Sequence, residues 1–270
     1  MRSITKDTTL CVSLAARPSN IGTRFHNFLY EALDLDYVYK AFAPADLAGA
    51  VAGVRGLPIR GAAVSMPYKE AVIPLLDELD PSAAVMQSVN TIVNTDGHLV
   101  GHNTDYTAVA SLLRSHEVPV TPVLLRGSGG MARAVGSALR DAGFTEGTLV
   151  ARNEATGRAL ADELGWSWAA DVDGRTAPLV VNVTPLGMTG ADASVQSFDD
   201  ATVAAADVVF DVVALPAETP HVRAARAAGR HVITGAEVIA LQAEEQFVLY
   251  TGVRPDAALV REASEWSRAS

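Results

Sequence analysis

Apolar residues fall into two rhythms along the first half of this chain. Short, nearly continuous runs at Thr9–Leu14, Tyr37–Phe42 and residues 61–65 read as buried strands. Between them Phe25, Leu29 and Leu33 recur at helical spacing, which predicts a helix over residues 23–33, and residues 44–54 predict a second. Residues 105–116 read as a further helix. It is followed by Val118-Pro119-Val120-Thr121-Pro122, whose two prolines break a helix and mark a domain boundary. A new β-α-β series opens at Val123–Arg126 and continues through strands at residues 149–152, 179–183, 208–212 and His231–Thr234. Residues 237–250 and 256–267 read as two closing helices. Strands alternating with helices predict an α/β fold with mainly parallel sheets. Two α/β domains are expected: residues 1–105 completed by 236–270, and residues 106–235 between them.

Composition narrows the function classes. Apolar residues are 49% of the chain and charged residues 19%, a balance that builds packed cores rather than disorder. The formal net charge of −10 argues against nucleic acid or an anionic membrane as a general partner, but a local basic pocket on such a chain can still take an anionic small-molecule substrate. The single cysteine, Cys11, lies in an apolar strand, so no intramolecular disulfide forms and a buried structural thiol is expected. With no signal-peptide core and no membrane-spanning run in the sequence, the expected location is the cytoplasm. No His, Cys, Asp and Glu spacing resembles a metal site.

The segment Leu124-Leu125-Arg126-Gly127-Ser128-Gly129-Gly130-Met131-Ala132 runs from an apolar strand through a glycine-rich turn into a helix. Gly127 suits the tight turn, Gly129 leaves room for a pyrophosphate, and Ala132 lets helix and strand pack closely. Amides at the helix start, from Ser128 to Met131, would then hold phosphates, and this domain reads as a Rossmann dinucleotide-binding domain. About 25 residues further on, where an NAD enzyme usually carries an acidic residue, the strand ends Val150-Ala151-Arg152-Asn153. Arg152 can pair with a 2′-phosphate and Asn153 can add a neutral donor, which points to NADP (NADPH) as cofactor. Glu154, one residue on, is the acid that an NAD reading would need.

Three polar segments stand where strands of the first domain are expected to end: Ser65-Met66-Pro67-Tyr68-Lys69, Ser88-Val89-Asn90-Thr91 and Gly101-His102-Asn103-Thr104-Asp105. Ligands bind at strand ends in α/β sheets. With Asn182-Val183-Thr184-Pro185-Leu186-Gly187-Met188 and Gln242-Ala243…Phe247, these segments resemble, in order, five motifs of the shikimate dehydrogenases. The likeness runs over essentially the whole chain and is closest to the divergent shikimate dehydrogenase-like subgroup. It implies an NADP-dependent oxidoreductase interconverting 3-dehydroshikimate and shikimate, in aromatic amino acid and chorismate biosynthesis, with its active site in the cleft between the domains. It casts Lys69 and Asp105 as the catalytic pair: the ammonium supplies a proton and steadies the charge developing on oxygen, and the carboxylate holds the ammonium. Asn90, Gln242 and Ser65 are the implied substrate contacts, and Thr184, Val213 and Gly235 complete the expected cofactor contacts. His26 and His102 are read as structural.

One part of the family pattern is missing. The family holds the substrate carboxylate with two serines near the N-terminus. Here Arg17-Pro18-Ser19-Asn20-Ile21-Gly22 stands in that stretch, putting Asn20 and Gly22 at the serine positions. The tyrosine expected after Asp211-Val212-Val213 is Ala214, and Ala63 replaces a frequent asparagine. Each lost hydrogen bond to a charged group costs roughly 1.5–3 kcal/mol. Weakened shikimate affinity is therefore expected unless Ser19, Asn20, Thr23 or Arg17 compensates. The alternatives are a quinate- or aminoshikimate-type dehydrogenase and a non-catalytic NADP-binding sensor. The expected assembly is a monomer or a homodimer.

Overall fold

The computed structural model describes residues 4–269. Backbone contacts divide the chain into two units, one running to Thr104 and resuming at Ala240, the other spanning Asp105–Ile239. The divisions fall inside helices. The Pro119/Pro122 segment is instead a connection within the second unit. Among the described residues no helix is long and apolar enough to cross a membrane.

The first unit runs β1 (Thr9–Leu14), α1 (Asn20–Ala32), β2 (Tyr37–Phe42), α2 (Leu47–Gly56), β3 (Gly61–Val64), α3 (Tyr68–Ala71), β4 (Glu78–Leu79), α4 (Pro81–Met86), β5 (Thr91–Thr95) and β6 (His98–His102). Its six-stranded sheet has the order β2-β1-β3-β5-β6-β4. All strands run parallel except β5, which opposes both neighbours. The period of two along β1 sends Val12 and Leu14 into one core with Val51, Val54 and Ile92. It sends Cys11 into the other, with Phe25, Leu29, Tyr39, Phe247 and Tyr250. α1 starts three residues before its predicted position, at the extended N-cap Ser19, and α2 starts at Leu47 rather than 44. Asp46 sets the latter start by accepting from Ala48 N and Gly49 N at 3.0 and 2.9 Å.

The β5–β6 hairpin was not among the predicted elements. Its turn is Asp96-Gly97, with φ of 52° and 88°, a dipeptide suited to a two-residue hairpin turn. Asn94 locks it, accepting from Gly97 N and donating to Val54 O, both at 2.8 Å.

The second unit continues through α5 (Thr104–Ser115), β7 (Val123–Arg126), α6 (Gly130–Asp141), β8 (Gly147–Val150), α7 (Glu154–Leu164), β9 (Ser167–Ala169), β10 (Leu179–Asn182), α8 (Asp200–Ala205), β11 (Val208–Asp211), α9 (Pro220–Ala227) and β12 (His231–Thr234). α10 (Gly235–Thr251) returns the chain to the first unit, where α11 (Ala257–Arg268) packs on α1. The sheet is wholly parallel, in the order β12-β11-β10-β7-β8-β9. Counted within the unit from the far end, this is the Rossmann order 3-2-1-4-5-6. β8 begins two residues before its predicted start, and the unpredicted β9 pairs beside it. Val123, Leu124 and Leu125 are all buried, as a central strand covered on both faces requires.

Candidate functional site

In the first unit, β1 and β3 are parallel and end together, and the amide of Ser65 donates to Leu14 O at 3.0 Å. Asn90 does not close a strand as expected. It opens β5, and because β5 runs antiparallel to β3 the residue still arrives at the same end of the sheet. There Val64 N donates to Asn90 O at 2.8 Å, and Asn90 N donates to His102 O at 3.0 Å. The three polar segments therefore meet at one sheet end.

Asn90 is buried, and its side-chain oxygen accepts from Thr91 Oγ1 (2.9 Å), Thr104 N (2.9 Å) and Thr104 Oγ1 (3.2 Å). Three donors on one oxygen fix which way the carboxamide faces. Lys69 is the second residue of α3, and its carbonyl accepts from Val89 N at 2.8 Å, which ties α3 to the Asn90 segment. Asp105 is buried in the first turn of α5, directly after Thr104.

Gln242 lies on α10, one turn before Gln246, whose Nε2 donates to Asn90 O at 3.3 Å. Gln246 escaped the sequence reading, although its i+4 spacing from Gln242 puts both on one helix face. Ser19 and Asn20 are exposed at the start of α1, and Ser19 makes no side-chain bond to the first turn. A Cβ on Gly22 would stand 3.7 Å from the Tyr39 hydroxyl. Burial pushes the Cys11 thiol up to about 12, which removes it as a nucleophile. Burial pushes His26 down to about 3, so it stays neutral, stacked on Tyr39 at 4.4 Å between ring centres. Burial also lowers His102.

In the second unit the glycine turn follows β7. Gly127 has φ +130°, and a Cβ there would lie 2.7 Å from Val183 Cγ2, so glycine is required on both counts. Around Gly129 and Gly130 the equivalent space is open. Gly129 is the N-cap of α6 and offers no side chain to the first-turn amides, which face outward as donors. Met131 is half-buried, whereas Ala132 is wholly buried, consistent with close helix packing.

Gly127, Ser128, Arg152, Asn153 and Thr184 line one cavity of about 740 Å³. Ser128 Oγ is 2.9 Å from Thr156 Oγ1, and Asn153 caps α7 by accepting from Thr156 N at 3.1 Å. Arg152 is exposed. Glu154 bonds Arg158 one turn on, at 2.8 Å. Thr184 is held by Asn182, whose oxygen accepts from its Oγ1 at 2.6 Å, while Asn182 Nδ2 donates to buried Asp211 at 3.0 Å. Val213 and Gly235 are not part of this cavity lining. Val213 gives its amide to Asp211, and Gly235 is a glycine because the Val212–Val213 backbone fills its Cβ position.

Three charged lining residues were not singled out from sequence: Arg126, Asp171 and Asp192. Arg126 closes β7, and its only sequence signal is a charge at the end of an apolar strand. Its guanidinium donates to Ser197 O, and burial followed by the nearby Arg152 charge pulls its pKa down.

These features define an α/β protein that pairs a polar strand-end cluster in one unit with a Rossmann glycine turn in the other. Residues 20–92 match the shikimate dehydrogenase substrate binding domain. A shikimate dehydrogenase-like protein of Haemophilus influenzae is 48% identical over 267 residues, 98% of each chain. The solved structure of a shikimate 5-dehydrogenase-like protein superposes with a TM-score of 0.97 at 48% identity, covering 99% of this chain and all of that one. That of shikimate 5-dehydrogenase from Thermus thermophilus, in complex with NADP(H) and shikimate, gives a TM-score of 0.86 at 31% identity, covering 96% and 99%. The chain belongs to the shikimate dehydrogenase family.

Proposed function

We propose that this chain is an NADP-dependent oxidoreductase that interconverts 3-dehydroshikimate and shikimate, or a close cyclic hydroxy acid, with a weakened hold on the substrate carboxylate. The observation that carries the reading is the meeting of Ser65, the Lys69 segment and Asn90 at one sheet end, in a chain belonging to this family. A cyclic polyol needs donors of fixed orientation, and the threefold anchoring of the Asn90 oxygen supplies one.

The second unit's residues fit the cofactor. Uncapped first-turn amides of α6 and the open space at Gly129 and Gly130 suit a pyrophosphate. Arg152 and Asn153 suit a 2′-phosphate. The bond between Glu154 and Arg158 engages the acid nearest the end of β8, where a ribose-binding NAD site usually carries one, which favours NADP. Bound there, the cofactor supplies or accepts the hydride.

The proton is the chain's own task. In reduction, the Lys69 ammonium delivers a proton to the carbonyl oxygen as negative charge builds on it, leaving a neutral amine. In oxidation the amine takes the hydroxyl proton back. Asp105 favours the charged ammonium, and Asn90 and Gln242 orient the ring hydroxyls. The weak point is the anchor, where Gly22 offers no hydroxyl and Asn20 stands for a serine.

Steady-state oxidation of shikimate, quinate and related hydroxy acids, each with NADP and NAD, tests the reading. Turnover with NADP at a raised KM for shikimate is expected. Brisk turnover of another acid would replace the substrate, a preference for NAD would replace the cofactor, and no turnover of any despite tight NADPH binding would favour a sensor.

A further inference from the structure

The second unit's cavity is built around two like charges. Arg126, from the end of β7, and Arg152, from just beyond β8, both line it. Neither has a carboxylate within 4.0 Å among the described residues, and burial, followed by the nearby Arg152 charge, disfavours the charged form of Arg126. Asp171 and Asp192 also line the cavity, and Asp171 offsets part of the repulsion at longer range. β7 and β8 are adjacent and parallel, with Arg126 paired in register to Val150, so both side chains leave the same end of the sheet.

Two guanidiniums lining one cavity, Arg126 half-buried and Arg152 exposed, repel each other, and the arrangement is stabilised when a group carrying two negative charges sits between them. A phosphate monoester is such a group, with three acceptor oxygens matched to forked donors. We propose that Arg126 is a second phosphate-binding guanidinium, acting with Arg152 on the 2′-phosphate of the dinucleotide and so setting the preference for the phosphorylated cofactor. Its bond to Ser197 O uses one face of the guanidinium and fixes it while its other N–H groups remain to donate. The inference rests on the NADP reading above and adds a residue to it.

Isothermal titration of the apo-protein with adenosine 2′,5′-bisphosphate and with 5′-AMP separates the two. Wild type should bind the bisphosphate far more tightly than 5′-AMP. Arg126→Gln should weaken the bisphosphate about 10- to 100-fold, as Arg152→Gln does, with 5′-AMP nearly unchanged. If wild type does not discriminate between the probes, the NADP reading falls and takes this inference with it. If wild type discriminates but Arg126→Gln matches it, or loses both probes equally, Arg126 only braces the Ser197 loop and the inference alone is overturned. Arg126→Met, whose unbranched side chain suits a half-buried strand end, serves if the Gln variant does not fold.

Discussion

Lys69 is the residue on which the proposed chemistry turns. Replacing it with alanine removes the proton source but leaves the second unit's glycine turn and guanidiniums as they are. Lys69→Ala is expected to lower turnover by about 10²–10⁴-fold while NADPH affinity changes little. Rapid-quench or steady-state assays with parallel fluorescence titration of NADPH check this, and turnover at the wild-type rate would take Lys69 out of the mechanism. Asn90 shows how much of a site residue can be read from sequence. Its presence in a motif could be seen at once, but the three donors on its oxygen come from Thr91 and from Thr104, fourteen positions away. Arg126 is the opposite case, because a lone charge closing an apolar strand carries no partner in sequence.

Among the elements, the β5–β6 hairpin decides the site's geometry, since it reverses the chain so that Asn90 lies beside the end of β3 and His102 pairs back onto Asn90. Its lock is buried Asn94, which joins Gly97 N to Val54 O. Asn94→Ala leaves the Gly97 amide unpaired and takes one of two donors from Val54 O, which keeps Ile59 N at 3.2 Å, and is expected to destabilise the protein by about 1–2 kcal/mol, read as a lower urea midpoint. A change below about 0.5 kcal/mol would mean that water replaces both bonds. The predicted strands Thr9–Leu14 and Val123–Arg126 have their observed bounds, because a central strand is a short apolar run with polar ends, and the edge strands Tyr37–Phe42 and His231–Thr234 keep theirs as well. The start of α2 is set by the Asp46 side chain, which takes over its first turn, whereas α1 starts earlier than its apolar spacing suggests with no such side-chain cap. In sequence the hairpin is marked only by Asp96-Gly97, because the polar motif residues at both its ends mask the strand alternation.

At the scale of the whole molecule, each unit buries a histidine that stays neutral: His26, held down to about 3 by burial, and His221, held down to about 4 by burial and then by the Arg126 charge. The unfolded chain takes up protons at about pH 6.5, whereas the folded one does not until pH is far lower. The stability these groups contribute is thus present above pH 6.5 and is lost as pH falls toward 4 and then 3. By pH 5 each withdraws about 2 kcal/mol. The thermal midpoint should therefore fall between pH 7 and pH 5, and His26→Phe, which keeps the stack on Tyr39, should flatten that fall. An equally steep fall in the variant would assign the acid sensitivity to other groups.

By itself, the sequence determined the α/β class, the glycine turn with its required Gly127, and the identity of the residues in the polar segments. Those follow from periodicity and backbone conformation, which act over a few neighbouring residues. Only the tertiary structure decided that β5 runs against its sheet, that three distant segments close on Asn90, and that Arg126 and Arg152 line one cavity. Such facts depend on which strands lie side by side and in which direction. Pairing of that kind is settled by burial over the whole sheet, and beyond the Asp96-Gly97 turn it leaves no local mark in the chain.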